Sequence, residues 1–96
     1  MNTSLEQIRQ MILDEVSPSK IVIYGEKKNG DVVREVSLLI VVKDNPKDVE
    51  RKLYRALDLE FAYNLLVYKE EDFLLLIEDK TSYAYSIMSK GRVLYG

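Results

Sequence analysis

Ninety-six residues, 47% of them hydrophobic and 31% charged, describe one globular domain over 1-96 with a modest core, not a disordered segment. The chain has no histidine and no cysteine, which excludes imidazole catalysis, thiol chemistry, disulfides and structural zinc. A net charge of −2 exerts no overall pull toward nucleic acid or anionic lipid, and no apolar run nears the roughly 20 residues that span a bilayer.

The opening MNTSLEQIRQ is too polar and acidic for a signal peptide, so a cytoplasmic location is expected. Thr3 to Val16 carries Leu5, Ile8, Ile12 and Val16 at helical spacing, with Thr3/Glu6 or Ser4/Gln7 as a capping box. Ser17-Pro18-Ser19 ends that helix, because the residue before a proline avoids the α region. Ile21 to Tyr24 is a short β-rich run, predicted to be a buried strand. Gly25 through Arg34 is polar and contains glycine, which predicts a loop with room for a helical turn. Glu35 to Lys43 is the clearest strand. Val36, Leu38, Ile40 and Val42 line one face and Leu39 and Val41 the other, as in a strand with neighbours on both sides.

A helix begins at Asp44-Asn45-Pro46, with Asn45 as cap, Pro46 in the first turn, and Val49, Leu53, Ala56 and Leu57 as its buried stripe. Phe61 to Tyr68 alternates as a third strand with Asn64 at its centre, where a buried amide would need hydrogen-bond partners. Glu70 to Ile77 and Thr81 to Ser89 read as short helices, Gly91 as a helix stop, and Arg92 to Tyr95 as a closing extended piece. The order is α-β-β-α-β-α-α-β, an α/β (α+β) sandwich of one small mixed sheet with helices packed on it.

Two features bear on partners. The run Phe73 to Ile77 is five consecutive apolar residues, more than one helix face needs. Either part of it is exposed as an interface, or the helix is wedged between the sheet and the last helix. Seven tyrosines are many for this length, and Tyr83 and Tyr85 cannot both face one core. Lys27 and Lys28 could steer an anion, but adjacent lysines in a turn more commonly serve solubility.

IVIYG with the segment after it, SLLIVV, FAYNLLVY and the ending SIMSKGRVLYG together resemble the minimal nucleotidyltransferases, small DNA-polymerase-beta-like domains often found beside a helical HEPN partner. The family pattern is an apolar strand, Gly-Ser, a loop of about ten residues, Asp-x-Asp in a second strand, and a third Asp in a later one. By that resemblance Gly25 and Glu26 stand at the nucleotide-binding Gly-Ser, Ser37 and Leu39 at Asp-x-Asp, and Asn64 at the third acid. Acids at i and i+2 of a strand point the same way and, with the third, hold magnesium. Here none of the three is a carboxylate, and Glu26 would oppose a polyphosphate by about 1 kcal/mol at roughly 4 Å in water, more in a drier site. The resemblance therefore implies a catalytically inactive domain without a cofactor. Its role would be that of a regulatory, antitoxin-like partner of a helical HEPN-type protein, or of a homodimer, with no membrane and no nucleic acid involved. In a shifted alignment Glu35 and Ser37 take the paired positions, and Glu26, Asp31 and Glu35 share a magnesium ion. That alternative leaves a weakly active or nucleotide-binding enzyme.

Overall fold

The computed structural model describes residues 3–96. Helix α1 spans Leu5–Glu15. Of the two possible capping boxes, Ser4/Gln7 forms: the Gln7 backbone N–H donates to Ser4 Oγ at 3.2 Å, and the Ser4 N–H donates to Gln7 Oε1 at 2.7 Å. Thr3 instead gives its backbone N–H and its hydroxyl to the Glu60 carboxylate, at 2.6 and 2.8 Å, which ties the start of the chain to the segment before the third strand.

The next two strands, β1 (Lys20–Asn29) and β2 (Val32–Val42), form one antiparallel hairpin. The polar segment 25–34 is thus a paired ladder and not a loop, which corrects the expectation from composition. The physical reason is that this end of the hairpin projects past most of the helical cover. Polar residues can then occupy both faces while the backbone stays hydrogen-bonded. The turn is Gly30-Asp31. Gly30 has φ +66°, and the positive φ at the first central position followed by an ordinary one is the pattern of a type II′ hairpin turn.

Asn45 Oδ1 accepts from the N–H groups of Lys47 and Asp48, at 3.0 and 3.3 Å, and starts α2 (Pro46–Ala56). This helix is the crossover that lets β3 (Ala62–Lys69) pair in parallel with β2. Two short helices, α3 (Glu70–Leu76) and α4 (Tyr83–Lys90), precede β4 (Arg92–Tyr95), which pairs antiparallel with β1. The sheet order is β3-β2-β1-β4, so β1 and β2 are the inner strands.

Strand alternation divides the core into two layers. On one face Ile8 and Ile12 of α1 and Val49 and Leu53 of α2 pack with Ile21, Ile23, Val36, Leu38, Ile40 and Val42. On the other, Phe73 of α3 and Ala84 and Ile87 of α4 pack with Val22, Leu39 and Val41. No buried polar or charged residue interrupts either layer among the described residues. Among these residues, too, no helix is long and apolar enough to cross a membrane.

Candidate functional site

Along β2 the side chains of Glu35, Ser37, Leu39 and Val41 share the α3/α4 face. The ladder sets Ser37 between Gly25 of β1 and Asn64 of β3. A Cβ at Gly25 would lie 3.3 Å from Ser37 Cβ and Oγ, so the missing side chain gives Ser37 its room. The register shift between Ile23 and Gly25 leaves Tyr24 as an extra residue on the strand. The three positions expected at the family's metal-binding acids therefore do converge on one face: Ser37 and Leu39 on β2, and Asn64 beside Ser37.

The polar groups there satisfy one another. Asn64 Nδ2 donates to Glu35 Oε2 at 3.2 Å and to Ser37 Oγ at 3.3 Å, and Lys27 Nζ sits 3.1 Å from Glu35 Oε1. Asn64 is exposed, because β3 is an edge strand; the burial expected from its mid-strand place does not occur. Hydrogen bonds from Lys27 and Asn64, with the lysine's charge, hold the Glu35 carboxyl below the usual carboxylate range. The stabilisation from that pairing is present above the carboxyl's ordinary value and is lost as pH falls through the lowered one.

Leu39 is in a different environment. It is fully buried among Phe73, Ala84 and Ile87, so the position that the resemblance sets at a metal-binding acid is sealed beneath the C-terminal helices. Magnesium does not fit this donor set. One hydroxyl, one amide and a carboxylate already bound to a lysine are a poor match to a cation that binds through carboxylates and phosphates. The alternative set of Glu26, Asp31 and Glu35 does not assemble either. Glu26 pairs with Val36 and so points to the opposite face from Glu35, where it lies 3.7 Å from Lys28 Nζ. Asp31 occupies the exposed turn. No group of three acids able to hold a metal occurs among the described residues. Gly25 and Glu26 likewise belong to a ladder and do not form a phosphate-cradling loop.

Beside this network lies a tyrosine group that sequence reasoning did not single out as part of the site. The rings of Tyr24 and Tyr83 meet edge to face at 6.2 Å, and Tyr68 stands 6.3 Å from Phe73. Burial pushes the Tyr24 phenol up to about 12, and the phenols of Tyr83 and Tyr68 add to the shift. In the unfolded chain the same group ionises near 10.0. Stability intact below pH 10 is therefore lost as pH rises from 10 toward about 12, where only the unfolded form gives up the proton freely. Urea midpoints measured across this window should fall with pH, and Tyr24→Phe should flatten the fall. An unchanged slope in the variant would remove Tyr24 from the account.

No protein-family model, curated protein or solved structure matches the chain. The geometry of the site is thus the basis for a functional reading. It contains no assembled nucleophile–base pair and no open metal position. What it presents is a self-satisfied polar patch at the edge of an aromatic cluster.

Proposed function

We propose that the chain is a catalytically inactive, nucleotidyltransferase-like domain that works in the cytoplasm by binding another protein. The fully buried Leu39 carries this reading. A transferase of the resembled family needs an exposed acid there, two residues from its partner acid, and the α3/α4 cover leaves no space for a metal-bound triphosphate at that point. The Lys27–Glu35–Asn64–Ser37 network supports it further, since the one nearby carboxylate is already engaged. A helical HEPN-type protein is the partner that the family setting suggests, and a second copy of this chain is the other.

Calorimetric titration with ATP and GTP, each with and without magnesium or manganese, tests the reading. No binding is expected. Metal-dependent affinity tighter than about 100 µM, roughly −5.5 kcal/mol, would overturn it in favour of a nucleotide-binding enzyme. A purified all-helical product of the neighbouring reading frame would be the first protein to titrate.

A further inference from the structure

Helix α3 leaves Leu74 and Leu75 in solvent, 52% and 70% exposed, although Phe73 beside them is buried. Glu71, three and four residues before the leucines, flanks them on the exposed side with its carboxylate 3.3 Å from Lys69 Nζ; Asp72 lies next to Leu75, and the exposed Glu78 follows in the turn after the helix. The ridge is therefore apolar with an acidic frame. That frame disfavours a two-fold contact of the ridge with itself, because like charges would be brought together as the leucines met.

On the opposite face of the sheet, α2 presents the converse surface. Its outward side carries Lys47, Arg51, which lies 3.5 Å from the exposed Asp48, and Arg55, and among them Tyr54, 44% exposed. A hollow of about 290 Å³ lies there, lined by Lys47, Glu50, Arg51 and Tyr54. Tyr54 is held in place from two sides. Its hydroxyl accepts the Leu65 N–H at 3.1 Å, and its ring stacks on Tyr63 at 5.5 Å. A fixed aromatic wall with a cationic rim costs little ordering when a leucine knob enters. We infer that the Leu74–Leu75 ridge of one molecule docks in the Tyr54 hollow of a second copy, with Glu71 and Glu78 meeting Lys47, Arg51 and Arg55.

The two surfaces lie on opposite faces of one sheet, so a single contact leaves a free ridge at one end and a free hollow at the other. The association is head to tail and does not close at two copies. This inference stands apart from the nucleotide question, and the two can fail separately.

Sedimentation equilibrium of the full chain from about 10 µM to about 1 mM tests it. The weight-average mass should rise past that of a dimer and fall back when salt is raised to about 1 M, where charges beyond roughly 3 Å are screened. Leu75→Ala should weaken association at least about tenfold. The pair Glu71→Lys with Glu78→Lys and the pair Arg51→Glu with Arg55→Glu should each abolish it alone. An equimolar mixture of the two charge-reversed proteins should restore it, which a merely misfolded variant could not do. A monomer at every concentration, a closed dimer indifferent to the reversals, or a mixture that fails to recover would each overturn the inference.

Discussion

Leu39→Asp is expected to abolish the cooperative unfolding transition of the domain. The side chain has no exposed surface and sits among Val22, Val41, Phe73, Ala84 and Ile87, none of which can accept or donate a hydrogen bond from its side chain. An ionised carboxylate there has no partner, at an effective cost of several kcal/mol. Protonation relieves part of that cost but still leaves the leucine's volume unfilled, and truncating a buried leucine costs about 2–5 kcal/mol on its own. A domain of this length has only about 5–15 kcal/mol of total stability, so either route removes most of it. Ser37→Asp and Asn64→Asp, at the open end of the same face, put a second carboxylate beside Glu35 and should each cost about 1–2 kcal/mol, far less than Leu39→Asp. Urea unfolding followed by far-ultraviolet circular dichroism distinguishes these outcomes. A Leu39→Asp protein with the parent's midpoint would mean that α3 and α4 do not pack on β2, and the case against a metal site would go with them. If the expectation holds, placing acids at Ser37, Leu39 and Asn64 would destroy the fold before it could hold a metal.

Much of the fold was legible because its signals were local. The capping side chains of Ser4 and Asn45, Pro46 in the first turn, and the two-faced apolar run from Val36 to Val42 each placed an element correctly, as did the element order as a whole. Glu35 and Ser37 were also placed rightly on one face of their strand, since alternation requires it. What composition obscured was the hairpin. Residues 25–34 are polar because they lie at the solvated end of a ladder, and polarity alone does not distinguish that from a loop. Asn29-Gly30-Asp31 between two extended runs was the available sign of a tight turn. The Lys27–Glu35 pair follows only from the hairpin register, which shifts at Ile23/Gly25 and again at Lys27/Lys28. Glu26 was misplaced for the same reason, as a one-residue difference in a ladder exchanges faces. Asn64 was expected to be buried because alternation says nothing about which strand lies at the edge of a sheet. Of the two readings of Phe73 to Ile77, both are partly realised. Phe73 is wedged into the core, while Leu74 and Leu75 stand in solvent.

Gly91→Ala should destabilise the domain by about 1–3 kcal/mol, a cost that the residue's role as a helix stop would not predict. Its φ of −82° is open to any residue, so backbone conformation does not require glycine there. On conformational entropy alone an alanine at such a site would stabilise by about 0.4–1 kcal/mol. Space decides the sign. A Cβ would sit 2.6 Å from Val22 Cγ1, 2.7 Å from the Ile87 carbonyl oxygen and 3.0 Å from that of Ile23. Two of these three neighbours are backbone atoms that cannot rotate away. The Ile87 carbonyl is also fixed, since it accepts the Gly91 N–H at 2.7 Å at the end of α4. The link from α4 to β4 would have to lift off β1, loosening the Ile23–Arg92 pairing and the packing of Ile87 against the layer that contains Leu39. Lys90→Ala, one residue earlier and exposed, should change stability by no more than about 0.5 kcal/mol and serves as the control. Equal urea midpoints for Gly91→Ala and the parent would show that the close approach of this link to β1 does not exist in solution. A loss confined to Gly91→Ala would place the residue among the contacts that hold the C-terminal helices over Leu39.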